Sequence, residues 1–130
     1  MRSTKILYWT FTGLLAGLML AASVPDVLQI PGAVAIIMHL GYPVYLLPFL
    51  GAAKIFGVVA LVTPRFARIK EWAYAGIVFD LVGALYSHAS VGDAPSQWMP
   101  AFIGLTLTAG SYFFFRRRSA QLVGVYQVPA

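Results

Sequence analysis

Apolar residues form four long stretches separated by polar and turn-forming segments, at positions 5–24, 43–62, 72–90 and 99–115. Each stretch has about the twenty residues that an α-helix needs to cross the roughly 30 Å hydrocarbon core of a bilayer. The pattern therefore predicts an all-α fold, a transmembrane four-helix bundle. We expect residues 1–118 to form this single domain and 119–130 to be a cytoplasmic tail.

The connection 25–42, which reads PDVLQIPGAVAIIMHLGY, is too apolar to lie in water. Pro31 suits the first turn of a helix, and Gly41 suits its end. We expect 32–40 to form a short helix at the membrane interface that caps this end of the bundle.

The first apolar stretch has two interpretations. Arg2 and Lys5 precede it and Ala21-Ala22-Ser23 resembles a cleavage site, as in a secretory signal peptide. The run 6–24 is longer than the apolar core of a usual signal peptide. We therefore interpret it as a retained helix.

Composition supports a membrane protein, because 60% of the residues are hydrophobic and only 10% are charged. Soluble domains have about 25% charged residues, so this chain lacks the polar surface that water requires. The chain has no cysteine. Disulfides, thiol redox chemistry and thiolate metal sites are therefore excluded.

The basic residues predict the orientation, because cytoplasmic loops are rich in lysine and arginine. They precede the first stretch, separate the second from the third, or follow the fourth: Arg2, Lys5, Arg65, Arg68, Lys70, Arg116, Arg117 and Arg118. Both termini should then be cytoplasmic. We interpret the loop residues from Arg65 onward as topology anchors that attract membrane lipid, not nucleic acid.

Two apolar stretches carry a charged residue near their middle, Lys54 and Asp80. Both are equally far along the chain from Ala67, the centre of the connecting loop, so a helical hairpin places them at the same depth. Each alone would cost about 2.5–3.5 kcal/mol in the membrane. We therefore expect them to pair inside the bundle, either as a ligand site or as a purely structural ion pair.

Two histidines extend this polar region. We expect His39 and His88 at the outer rim, in one layer with Asp26 and Asp93, where they could form a proton path toward Asp80. Asp80 and His88 are also the candidates for a catalytic acid or base. No histidine spacing typical of a metal site is present, so we expect none.

Small residues predict close helix packing. Gly13 and Gly17 lie one turn apart in the first stretch, and further glycines flank Lys54 and Asp80: Gly51, Gly57, Gly76 and Gly83.

The segments HLGYPVYLLPFLGAAKIFGVVALVTP (39–64) and RIKEWAYAGIVFDLVGALYSHASVGD (68–93) carry the motifs LGYP, LG-x-x-K, IKEWAYAG and SH-x-x-x-GD. They resemble the DoxX-like family of small bacterial four-helix membrane proteins over about residues 8–115. The resemblance implies the bacterial inner membrane. The polar positions that match are Lys54, Asp80 and His88, with His39 and Asp93.

The family's name is associated with a subunit of a thiosulfate:quinone oxidoreductase. The resemblance and the polar site together suggest a small membrane subunit or partner that binds a quinone-like or other lipophilic molecule for an oxidoreductase system. One alternative is an isomerase-like acid/base enzyme on a lipophilic substrate. Another is a structural or assembly protein without a ligand. A homo-oligomer is compatible with each of these.

Overall fold

The computed structural model describes residues 2–63 and 66–126, and of 121–126 the backbone alone. Within this part of the chain the structure is all α-helical, with five helices: α1 Arg2–Leu28, α2 Pro31–His39, α3 Leu46–Val62, α4 Ala67–Ser90 and α5 Pro95–Tyr126. The predicted all-α class and the short helix after the first long one are confirmed.

The first helix is longer than the apolar pattern indicates. α1 continues through Pro25 to Leu28, although the expected end is residue 24. It ends in a Schellman motif, in which Gln29 has a φ of 52° and Ile30 N–H donates to Pro25 O at 3.1 Å. The extension matters because it brings Asp26 onto the last turn of the helix.

The helices α4 and α5 also exceed their predicted bounds. α4 begins at Ala67, not near 72, and α5 runs from Pro95 to Tyr126, not from 99 to 115. Hydropathy marks only the part of a helix suited to lipid, and polar residues such as Arg116 have an equally high helix propensity. Part of the segment predicted as a tail, 119–130, is therefore helical.

Two helices in the described chain are long and apolar enough to cross a membrane, α1 and the part Pro95–Ala120 of α5. α3 is a shorter apolar helix of 17 residues, and four charged residues interrupt α4, Arg68, Lys70, Glu71 and Asp80. The number of crossings stays a prediction.

The four longer helices share one core. α1 packs against α3 and α5, α4 packs against the same two helices, and α2 lies against α1 and α3. Each contributes buried side chains to a single cluster, including Leu15, Leu61, Ile77 and Phe115. The buried positions of α1 recur every three or four residues, so one stripe of the helix faces the core.

Two glycines that the sequence does not single out allow close helix approach. A Cβ added at Gly110 would lie 2.6 Å from the ring of Phe11, and one at Gly104 would lie 3.1 Å from Leu81. These glycines allow α5 to pack closely against its neighbours.

Of the glycines predicted to serve packing, Gly51 does so most clearly. A Cβ there would lie 2.9 Å from Asp26 Cβ. Gly57 makes an ordinary contact, because its added Cβ would lie 3.6 Å from Ile77. Four others have nothing within 4 Å: Gly13, Gly17, Gly76 and Gly83. No side chain of the described residues packs against them, so they do not mediate close helix packing within this chain, and Gly76 instead lines an open groove.

Candidate functional site

Lys54 lies between two carboxylates. Its Nζ is 3.2 Å from Asp26 Oδ2 and 3.8 Å from Asp80 Oδ2. Asp80 is the partner expected from the hairpin geometry. Asp26 was expected at the outer rim with the histidines. It reaches Lys54 because α1 continues past Pro25 and packs closely on Gly51.

The three side chains of this cluster differ in their surroundings. Lys54 donates a hydrogen bond to Asp26, whereas Asp80 makes only the longer ion pair. All three side chains are mostly buried, with exposed fractions of 17% for Lys54, 15% for Asp26 and 22% for Asp80. One ammonium against two carboxylates gives the fully ionised cluster a net negative charge.

An apolar groove of about 540 Å³ lies between α3 and α4, with Lys54 and Asp80 among its lining residues. Ligand pockets have volumes of about 300–1,000 Å³ and combine apolar walls with a few polar groups. The groove exists because small residues face each other across it: Ala53, Gly57 and Ala60 on α3, and Ala73 and Gly76 on α4.

Aromatic side chains also line the groove. Phe56, Trp72 and Phe79 contribute to its wall, yet each leaves at least 70% of its surface uncovered by the protein. An open, apolar groove with an aromatic border is suited to a lipophilic molecule that enters sideways from lipid.

A second polar cluster lies where α4 ends. Asp93 accepts hydrogen bonds of 2.6 Å from both His39 Nε2 and His88 Nδ1. A Schellman motif with Gly92 at φ 74° folds the chain back, so that Asp93 N–H donates to His88 O at 3.0 Å. An ionised carboxylate only accepts, so both histidines carry a proton on the nitrogen that faces it.

The hydrogen bond from His88, followed by that from His39, holds the pKa of Asp93 below its usual value. These two histidines and Asp93 therefore meet as the sequence suggests, without Asp26. Among the described residues, no hydrogen bond or ion pair joins this cluster to Lys54 or Asp80. The proton path toward Asp80 stays a prediction.

Lys70 was expected to be a topology anchor in an exposed loop, but it lies buried in a helix. Because α4 begins at Ala67, Lys70 lies in its first turn on the buried stripe, with an exposed fraction of 6%. Its Nζ donates to Tyr8 Oη at 3.0 Å and lies 5.8 Å from the centre of the Phe115 ring. Among 2–63 and 66–120, no carboxylate forms an ion pair with it.

Buried hydroxyl groups form a further network that sequence reasoning missed. Ser111 Oγ lies 2.7 Å from both Thr12 Oγ1 and Tyr74 Oη. Each hydroxyl can both donate and accept, so the network satisfies these groups inside the core. For Tyr74 the sequence holds a weak signal, because it follows Lys70 by one helical turn. Ser111 could not be found in this way, because it reaches Thr12 only through the packing of α1 against α5.

The other predicted topology anchors differ in their contacts and in their exposure. Arg116 forms an exposed ion pair with Glu71 at 3.2 Å, and Arg118 lies 5.6 Å from the centre of the Tyr8 ring. Arg68 and Arg117 are exposed, and Arg65 lies outside the described residues.

Metal binding finds no support in the described ranges, where no group of three histidine or acidic side chains is placed to hold an ion.

In comparisons with known proteins, the profile of the DoxX-like family matches residues 10–111, most of the chain. No curated protein and no solved structure matches this chain.

Proposed function

Because the chain belongs to the DoxX-like family, we propose that it binds a lipophilic molecule in the α3–α4 groove within a bacterial inner membrane. It would serve as a small membrane subunit or partner of an oxidoreductase system, with a quinone-like molecule as the leading ligand. Since the chain has no cysteine, the redox centre would belong to the ligand or the partner.

The proposed topology has four crossings, by α1, α3, α4 and α5, with both termini in the cytoplasm. α3 is 17 residues long, or about 25 Å, close to the thickness of the hydrocarbon core. The basic residues near the start of α1, the start of α4 and the end of α5 support this orientation. α2 would then lie at the outer interface.

The observation that carries the proposal is the open side of the Lys54–Asp80 pair. A pair that only fixed two helices would be enclosed by their packing, whereas here both residues line a groove bordered by exposed aromatic rings. The ammonium can donate a hydrogen bond to a carbonyl, and the carboxylate can accept one from a hydroxyl. The oxidised and reduced forms of a quinone offer these two groups.

Native mass spectrometry of the mildly solubilised protein tests the proposal. We expect a small lipophilic adduct on the wild type and none on the folded triple variant Asp26→Leu/Lys54→Met/Asp80→Leu, which removes the whole charged cluster. Lys70→Met is the matched control, because it removes a buried lysine outside the groove and should keep the adduct. A wild type that carries no adduct and is not stabilised by quinone analogues would contradict ligand binding and favour a structural role.

A second candidate is an acid/base enzyme at the His88–Asp93 pair. Asp93 holds the proton on His88 Nδ1 and leaves Nε2 as the basic nitrogen, an arrangement that general bases use. An isomerase-like reaction would exchange substrate hydrogens with solvent. The test is deuterium incorporation into membrane lipophiles in heavy water. Equal incorporation with wild type and His88→Gln would rule the candidate out.

A further inference from the structure

We propose that the groove accepts an uncharged lipophile whose carbonyl or hydroxyl groups are confined to one end of the molecule, in an orientation opposite to that of a phospholipid. The polar group lies at Lys54 and Asp80, and the apolar body extends from there toward Trp72. This inference rests on the proposed function and specifies its ligand.

The proposed orientation of the ligand follows from the position of the groove along α3 and α4. Lys54 is the middle residue of α3, equally far from Leu46 and Val62. From that level the groove continues to Ala60 and Ile69, near the end of α3 and the start of α4. On α4 the distance from Asp80 to Ile69 is about 16 Å, at 1.5 Å per residue.

A phospholipid fits this arrangement poorly. Its charged headgroup lies at the interface and its chains end near the middle of the bilayer, so a chain end would meet Lys54 and Asp80. The interfacial end of the groove instead presents the side chain of Ile69 and the ring of Trp72, which offer apolar surface and no charge that would pair with a headgroup. A molecule with its polar group at the buried end satisfies both parts of the groove.

The charges of the cluster select an uncharged polar group. The cluster already has two carboxylates and one ammonium, so an anionic head would bring a second excess negative charge into apolar surroundings. A cationic head beside Asp80 would approach Lys54 Nζ, which is 3.8 Å from that carboxylate. A carbonyl or hydroxyl adds no charge and still forms a hydrogen bond.

Thermal stabilisation of the full-length protein by three probes that each carry a ten-carbon chain tests the charge selection: a decyl-substituted benzoquinone, decanol and decanoate. We expect the first two to raise Tm by several degrees at pH 7.5 and decanoate to leave it unchanged. Stabilisation by decanoate equal to that by decanol would overturn the inference and leave the ligand groove intact. No stabilisation by any probe would overturn the proposed function itself.

Two glycines of α4 provide a matched pair of variants. Gly76 and Gly83 lie two turns apart, and a Cβ added at either meets nothing within 4 Å, but only Gly76 lines the groove. Gly76→Leu should abolish stabilisation by the decyl benzoquinone, and Gly83→Leu should retain it. Equal retention by both would overturn the proposed path of the apolar body.

Photocrosslinking tests the orientation. Decyl benzoquinones with a diazirine on the ring or at the chain end would be crosslinked and mapped by peptide mass spectrometry. The ring probe should label residues near Lys54, and the chain-end probe should label those near Ile69 and Trp72. Labelling in the reverse order would overturn the orientation while supporting the groove as a binding site.

Discussion

Two lysines of this protein are buried in opposite ways. Lys54 faces the carboxylates of Asp26 and Asp80 beside an open groove. Lys70 faces the hydroxyl group of Tyr8 and the ring of Phe115 inside a closed core. Ion pairs stabilise the first ammonium, whereas a hydrogen bond to a neutral hydroxyl group and cation–π contacts stabilise the second. Burial of a charge therefore does not by itself mark a candidate site, and the open groove beside Lys54 is what distinguishes the two lysines.

The packing around the two lysines differs in the same way. On the side of Lys70, α1 and α5 approach so closely that Gly110 has no room for a Cβ beside Phe11. On the side of Lys54, α3 and α4 leave a groove, and a Cβ at Gly76 would meet nothing within 4 Å. The first side is filled by packed side chains, and the second leaves open space beside the ion pair.

The largest expected effect is that of Lys54→Met. The change leaves two mostly buried carboxylates without their cation, and breaking a buried ion pair in this way costs about 3–5 kcal/mol. Unfolding by denaturant in mild detergent measures the loss. Asp26→Leu/Lys54→Met/Asp80→Leu should restore most of the stability. A single variant as stable as the wild type would contradict the ion-pair account of Lys54.

Gly110→Leu should have the next largest effect. The new side chain would overlap the ring of Phe11, and overpacking of this kind costs about 1–3 kcal/mol. Gly76→Leu should change the unfolding free energy by less than about 0.5 kcal/mol, because it meets open space. Equal losses in the two variants would show that the two sides do not differ in packing.

Lys70→Met should cost about 1.5 kcal/mol, since it removes one charge-assisted hydrogen bond and cation–π contacts but leaves no buried carboxylate unpaired. The same unfolding measurement checks it. A loss as large as that of Lys54→Met would contradict the distinction between the two lysines.

The smallest effect concerns Asp93, which lies away from both lysines, and its contribution to the pH dependence of stability. Its pKa in the folded protein lies below the ordinary value, so its contribution to stability is complete above about pH 4 and is lost as pH falls further. Asp93→Asn should remove this part of the acid destabilisation. Melting curves between pH 6 and pH 3 measure it, and parallel curves for wild type and variant would contradict the assignment.

Much of the fold could be predicted, but only part of the site. Turn chemistry located Gly41, whose φ of 87° ends α2. The pairing of Lys54 with Asp80 was anticipated from the geometry of a helical hairpin. Its premise was only approximate, because Ala67, the expected centre of the loop, is the first residue of α4. Asp26 was misplaced, since hydropathy and Pro25 both suggested that α1 had already ended. Lys70 was misplaced because a basic residue between two apolar runs resembles a loop residue.

The all-α class and the position of charged residues within apolar helices follow from residue type and local periodicity, so both could be read from the amino-acid sequence. The tertiary structure alone decided which carboxylates reach Lys54, that Lys70 is enclosed by aromatic rings, and that Gly110 is covered while Gly76 is open. The physical reason is that burial depends on the rotation of each helix and on its neighbours, which local sequence patterns do not specify.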